Sequence, residues 1–208
     1  MICNYFFDLG NVLLDIDPQR SLDALAPLFK PDALKQFTPS DLFGVGSNPF
    51  LAAYQVGTIS SDEFFAHFLP YCLPGTAPRQ LVAAWNAMLI NIPPRRIQAI
   101  RKLRQNGCKV FILSNINEEH LRWVRRHFDQ VGLRLGSDID DAFFSNEIHL
   151  SKPDPRIFAE AIRRSNVSPQ ETLFIDDQQI NVSAACEAGL HAVCASRDAW
   201  LPFIRIKS

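Results

Sequence analysis

Residues 94–117 read PRRIQAIRKLRQNGCKVFILSNIN, and the change of period inside this stretch decides the fold class. Ile97, Ile100 and Leu103 recur on one helical face, and Gly107 closes that helix. Val110-Phe111-Ile112-Leu113 follows as an unbroken apolar run, the pattern of a strand buried on both faces of a parallel sheet. Asn117 then caps a helix running through Leu121, Val124 and Phe128. The alternation continues towards the C-terminus. Phe143-Phe144 is a short strand, and Asp154-Pro155 opens a helix carrying Ile157, Phe158, Ala161 and Ile162. Leu173-Phe174-Ile175 is a strand, Val182 to Ala188 a helix closed by Gly189, and Ala192-Val193-Cys194 a last strand. Towards the N-terminus, Tyr5-Phe6-Phe7 is a further apolar run that stops at Asp8-Leu9-Gly10-Asn11. Strands alternating with helices predict an α/β fold, a doubly wound parallel sheet to which the N-terminal strand also belongs.

Between the first two strands the composition changes. Residues 18–91 carry nine charges in 74 positions against 34 in the other 134, and hold eight of the fourteen prolines. Their apolar spacing is helical: Leu22, Leu25, Ala26 and Phe29, then Phe64, Phe65, Phe68 and Leu69, then Leu81, Val82, Trp85, Met88 and Leu89. Asp17-Pro18 reads as an N-cap with proline at the first helical position, and Ser60 with Glu63 as a capping box. The expected organisation is an α/β core of residues 1–16 and 92–208 with an inserted helical segment, 17–91, in which Phe64, Phe65 and Phe68 form a small core of their own.

A chain of 208 residues is long enough to bury a sizeable core. With 47% hydrophobic and 21% charged residues it is ordinary globular material, which excludes a disordered or coiled-coil chain as the main state. A net charge of −1 gives no field that would attract nucleic acid or an anionic membrane. Cys3, Cys72, Cys108, Cys186 and Cys194 are scattered and odd in number, so they read as reduced thiols rather than a disulfide framework or zinc site. The uncharged stretch Leu42–Ser61 contains three glycines and a proline and does not read as a membrane span. Asp8 interrupts the N-terminal apolar run, which lacks a basic leader, so a cytoplasmic protein is expected.

In an open parallel sheet, ligands bind beyond the carboxyl ends of the strands. The residues found there are Asp8, then Ser114-Asn115, then Asp176-Asp177, with Lys152 just before the Asp154 helix. Three carboxylates gathered at one point repel one another unless a cation sits among them. A hard divalent ion held by oxygens, magnesium foremost, resolves that repulsion and leaves room for a phosphate. The lysine and the serine can then hold the remaining phosphoryl oxygens.

These segments together resemble the haloacid dehalogenase (HAD) superfamily, most of whose members are phosphatases. Phe6-Phe7-Asp8-Leu9-Gly10-Asn11-Val12-Leu13 is similar to its first motif, Phe111-Ile112-Leu113-Ser114-Asn115 to the second, Ser151-Lys152-Pro153-Asp154-Pro155 to the third and Phe174-Ile175-Asp176-Asp177-Gln178 to the fourth. The inserted segment resembles that superfamily's type 1 cap. The opening Asp-Leu-Gly-Asn-Val is similar to that of sugar phosphatases of the bacterial α-glucose-1-phosphatase kind. The resemblance implies a Rossmann-like core and a covalent mechanism with Asp8 as nucleophile and Lys152 as charge-balancing catalytic residue. It implies Mg2+ held by Asp8, the Gly10 carbonyl and Asp177, with Asp176 or Asn181 helping, and a phosphoryl oxygen bound by Ser114, the Asn115 N–H and Lys152. The implied partner is a small phosphorylated metabolite, a sugar phosphate above all, and the implied state a monomer or homodimer.

The sequence departs from the pattern at Gly10, where most phosphatases of the superfamily carry a second aspartate that acts as general acid and base. Asp15 and Asp17 are close by, but Asp15 reads first as a solvated turn residue and Asp17 as a helix cap. Two other readings follow. A 2-haloacid dehalogenase needs no metal but does need a cation for its substrate's carboxylate, and the cap has no Arg between Ser21 and Pro78. A non-catalytic phospho-ligand-binding protein is favoured only by Gly10. The five histidines, His67, His120, His127, His149 and His191, lack metal-ligand spacing and read as structural or surface residues.

Overall fold

The computed structural model describes residues 1–33, 35 and 48–204; residues 34, 36–47 and 205–208 lie outside it, and with them the first six residues of the uncharged Leu42–Ser61 stretch. Five parallel strands form the main sheet: β1 (Asn4–Phe7), β4 (Lys109–Ser114), β5 (Asp141–Phe144), β6 (Thr172–Asp176) and β7 (His191–Cys194), in the order β5-β4-β1-β6-β7. β1 is central, with Phe7 opposite Ile112 of β4 and Ile175 of β6. The chain fills one side of β1 and then the other, so the order reverses beside it. That switch point is where an open α/β sheet leaves a crevice.

The unbroken apolar runs have a direct cause, since both sheet faces are covered. Tyr5, Phe7, Val110 and Ile112 pack with Ile97, Ile100 and Leu103 of α5 (Pro94–Gln105), Leu121, Val124 and Phe128 of α6 (Glu118–Val131), and Trp200. Phe6, Phe111, Leu113 and Phe174 pack on the other face with Ile157, Phe158 and Ala161 of α8 (Pro155–Ser165) and Ala185 of α9 (Gln179–Glu187). A short helix, α7 (Ser145–Ile148), follows β5 directly. Asn117 and Asp154 cap α6 and α8 as their sequence positions predict, accepting from His120 N at 3.0 Å and Arg156 N at 2.9 Å.

The segment between β1 and β4 contains α1 (Pro18–Leu25), α2 (Pro49–Gln55), α3 (Ser61–Phe68) and α4 (Pro78–Asn86). It has its own apolar cluster, centred on Phe64. That ring lies 4.1 Å from Tyr54, 5.0 Å from Trp85 and 5.1 Å from Phe68, centroid to centroid. Asp17 caps α1 through Gln19 N, and Ser60 and Glu63 form the reciprocal capping box on α3.

Sequence and structure differ at the joint. Met88 and Leu89 follow the helical spacing of α4, yet that helix ends at Asn86. Leu89 opens β3 (Leu89–Asn91), which pairs antiparallel with β2 (Asp15–Ile16), Ile16 opposite Leu89 and Asp15 opposite Asn91. Asp15 is therefore a strand residue rather than a solvated turn residue, and it forms an ion pair with the buried Arg96 at 2.8 Å. A two-residue strand is too short to show a period, so pairing overrides the local helical signal.

The inserted helices are also tied down at their far side. Ser61 Oγ donates to Glu118 Oε2 at 2.6 Å, and Ser145 Oγ to the Gln55 carbonyl at 2.6 Å. His149 Nδ1 donates to the Val56 carbonyl at 2.7 Å. Gly57 is required at this contact. Its φ is +70°, and a Cβ there would stand 2.3 Å from the Asn146 carbonyl oxygen.

Candidate active site

Asp8 follows β1 directly, and its N–H donates to the Ile175 carbonyl at 2.9 Å. The chain then folds back sharply, with Leu13 and Leu14 N–H both donating to the Leu9 carbonyl and Asn11 at φ 56°. Three groups from outside hold this loop. Arg197 N donates to the Asn11 carbonyl, Trp200 Nε1 to that of Val12 at 3.1 Å, and Arg96 Nη1 to that of Leu13 at 3.1 Å. Arg96 is completely buried, and Asp15 and Asp198 balance its charge.

Lys152 enters from the loop before α8 and is 2% exposed. Its ammonium makes three hydrogen bonds: to Asp8 Oδ1 at 2.9 Å, to Asp176 Oδ2 at 2.6 Å and to the Leu113 carbonyl at 2.9 Å. All three of its protons are thus used. Asn115 fixes the lysine's backbone. Its Nδ2 donates to the Lys152 carbonyl and its Oδ1 accepts the Lys152 N–H, both at 2.8 Å. Both polar atoms of the Asn115 side chain are thus engaged by the Lys152 backbone.

The two carboxylates after β6 differ. Asp176 is fully buried and saturated by protein donors. One oxygen takes Lys152, and the other takes Gln178 N at 2.8 Å and Asn181 Nδ2 at 3.0 Å. Asp177 is half-buried, with Asn11 Nδ2 on Oδ2 at 3.2 Å. Ligand atoms of Asp8, Asp176 and Asp177 all lie within 4.8 Å of one another. Asn181 Oδ1 is buried with no hydrogen-bond partner. Three carboxylates against one ammonium, beside an orphaned acceptor oxygen, fit a hard divalent cation.

The electrostatics agree. Burial raises the Asp8 pKa to about 6; Asp176 pushes the same way, while Lys152 and the Ser114 hydroxyl oppose. Burial also raises Asp177, against the Asn11 hydrogen bond. Burial alone would lower Lys152, but the Asp8 and Asp176 carboxylates outweigh it and hold the ammonium charged. One lysine therefore leaves the site short of positive charge.

These residues face a cavity of about 290 Å³ between the strand ends and the inserted helices. Asp8, Gly10, Ser114, Asn115, Lys152, Asp177 and Asn181 all line it, whereas Asp176 stands behind them. Asp15 and Asp17 do not line it. A Cβ on Gly10 would meet only Ile16 Cδ1, at 3.3 Å.

Among the lining residues that the sequence did not point to are two polar ones from helices, Gln55 and His120, the latter read as a structural or surface residue. Asn117 Nδ2 lies 3.1 Å from His120 Nδ1, and an amide nitrogen only donates, so Nδ1 accepts. The ring proton then sits on Nε2, 3.4 Å from the Trp85 carbonyl. Burial lowers the His120 pKa to about 4, so the ring is neutral at physiological pH. In the sequence, the one trace of its position is its third place after the cap residue Asn117.

Comparison with known proteins points the same way. The family model for haloacid dehalogenase-like hydrolases matches residues 4–189. A curated relative, D-ribitol-5-phosphate phosphatase of Bacteroides thetaiotaomicron, is 30% identical over 91% of this chain and 89% of its own. A crystal structure of a HAD family enzyme from the same organism superposes with a TM-score of 0.86 at 28% identity, covering 98% of this chain and 99% of that one. A structure of that enzyme in complex with magnesium and inorganic phosphate matches with a TM-score of 0.84 at 26% identity over 99% of this chain and 100% of that one.

Proposed function

The chain belongs to the haloacid dehalogenase-like hydrolases, and from that premise we propose that it is a Mg2+-dependent phosphatase of a small sugar or sugar-alcohol phosphate. The carrying observation is Lys152, which binds Asp8 and Asp176 together at the mouth of the sheet while Asp177 stays open to a ligand.

Asp8 is the nucleophile. Its carboxylate oxygen forms a bond to phosphorus as the phosphorus–oxygen bond to the sugar breaks, giving an aspartyl-phosphate. Water then attacks phosphorus, the bond to Asp8 breaks, and inorganic phosphate leaves. Ser114 and the Asn115 N–H hold phosphoryl oxygens, and Lys152 offsets the charge shared by Asp8 and the phosphoryl group. Asp8, the Gly10 carbonyl and Asp177 would hold Mg2+, which supplies neutralisation of the phosphoryl charge. Asp176 acts through Lys152 and Asn181 rather than on the ion. Gly10 has no side chain to protonate the leaving oxygen, and Asp15 and Asp17 do not line the cavity, so on this reading that proton comes from water. Residues 17–91 serve as the cap, and 1–16 with 92–208 as the core.

A 2-haloacid dehalogenase is disfavoured by the same site. Its substrate's carboxylate would need a free cation, and the only lysine or arginine among the described lining residues is Lys152, already fully bonded.

The direct test is hydrolysis of p-nitrophenyl phosphate and ribitol 5-phosphate with Mg2+ or with EDTA. We expect turnover of both esters with Mg2+ and loss of at least about 100-fold in EDTA. Equal rates with and without metal would overturn the reading. Metal binding should also depend on pH. The folded-state pKa of Asp8 lies above its unfolded value, so the metal-free fold favours protonated Asp8 and loses this contribution as pH rises from about 4 to 6. Mg2+ must displace that proton, so its apparent affinity, read by thermal shift, should weaken about tenfold per pH unit below pH 6 and level off above it. A flat profile from pH 5 to 7 would contradict the assignment of Asp8 as a ligand.

A further inference from the structure

Gln55 is the last residue of α2 and lines the cavity opposite the strand ends. Its backbone carbonyl accepts from Ser145 Oγ at 2.6 Å, and Ser145 Oγ in turn accepts the Ile116 N–H at 2.9 Å. Ser145 is completely buried, so this two-bond bridge fixes Gln55 relative to the loop that carries Ser114 and Asn115. The Gln55 amide has no hydrogen bond among the described residues. Its neighbours on the inserted side of the cavity, Leu51, Trp85 and Met88, present mainly carbon. A half-buried amide fixed at its backbone and free at its tip, on an otherwise apolar wall, is arranged to read a neutral polar group.

The charges narrow the ligand further. Lys152 spends its three protons inside the protein. Residues 34 and 36–47, outside the described structure, contain no Lys, Arg or His. Among the described lining residues no free lysine or arginine is therefore left to neutralise a second anionic group, and a distal carboxylate or phosphate would be desolvated unpaired. We propose that Gln55 is the specificity-determining residue of the site, its amide hydrogen-bonding a hydroxyl of a neutral polyhydroxy phosphate ester. The proposal rests on the phosphatase reading above and adds what the non-reacting end of the substrate looks like.

The experiment compares two Mg2+-dependent specificity ratios in wild type, Gln55→Leu and Gln55→Arg. The first ratio sets kcat/KM for ribitol 5-phosphate against p-nitrophenyl phosphate, which has no hydroxyl to read. In Gln55→Leu this ratio should fall about tenfold, carried mainly by KM for the polyol ester. The second sets 2-phosphoglycolate against ribitol 5-phosphate, and in Gln55→Arg it should rise about tenfold as the guanidinium pairs with the carboxylate. A Gln55→Leu ratio within twofold of wild type overturns the proposal. So does a wild type that hydrolyses p-nitrophenyl phosphate but no polyol phosphate. A wild type that hydrolyses none of these esters overturns the phosphatase reading instead.

Discussion

Asp8→Asn removes Mg2+-dependent hydrolysis of p-nitrophenyl phosphate, with an expected loss of about 10⁴-fold or more, as found when a nucleophile is deleted from a site whose parts act as a unit. The change is nearly isosteric. Asparagine keeps an acceptor oxygen for the Lys152 ammonium, now 2.9 Å from Asp8 Oδ1, so the fold should persist. The nucleophilic charge is lost, and a neutral amide oxygen makes no stable bond to phosphorus. Steady-state rates over a Mg2+ titration, with circular dichroism to show that the variant folds, check the prediction. More than about a hundredth of wild-type activity would mean that another group attacks phosphorus.

The second large effect belongs to Lys152→Met. Removing one partner of a buried charge network costs about 3–5 kcal/mol, because the remaining charges stay buried without compensation. Here two carboxylates lose their cation and the Leu113 carbonyl loses its donor. Urea denaturation should show this loss at pH 7.5 in the metal-free protein. The loss should shrink at pH 5, where Asp8, already raised to about 6 by burial, takes up a proton and no longer needs a partner. Hydrolysis should fall at least about 100-fold, since Lys152 also offsets charge on the transferring phosphoryl group. A variant as stable as wild type at both pH values would show that the carboxylates find their counter-charge elsewhere.

The features legible in the sequence share one cause. Strands buried on both faces must be apolar throughout, so Tyr5-Phe6-Phe7, Val110–Leu113 and Leu173–Ile175 stood out, and the polar residues that end them marked the site. Asp8, Ser114 and Asp177 could be found this way because each immediately follows or ends a strand. Gln55 and His120 could not, because they reach the cavity from helices whose cavity-facing side no period reveals. Arg96 is one of several basic residues on α5 and no local pattern sets it apart, yet it is buried, with Asp15, from 81 positions earlier, and Asp198, from 102 later, both reaching it. Ion pairs across such separations leave no local trace.

The β2–β3 ribbon has a kinetic consequence. β1 must pair with β4 from roughly 100 residues away, and closing so long a loop is entropically costly before any contact repays it. The aromatic cluster around Phe64 is local, and Ile16 lies opposite Leu89. Once that ribbon forms, the effective loop between β1 and β4 contracts to roughly 30 residues, and logarithmic scaling of closure entropy makes this about 1 kcal/mol cheaper. A segment that interrupts the sheet in sequence thus shortens the search by which the sheet's two central strands find each other.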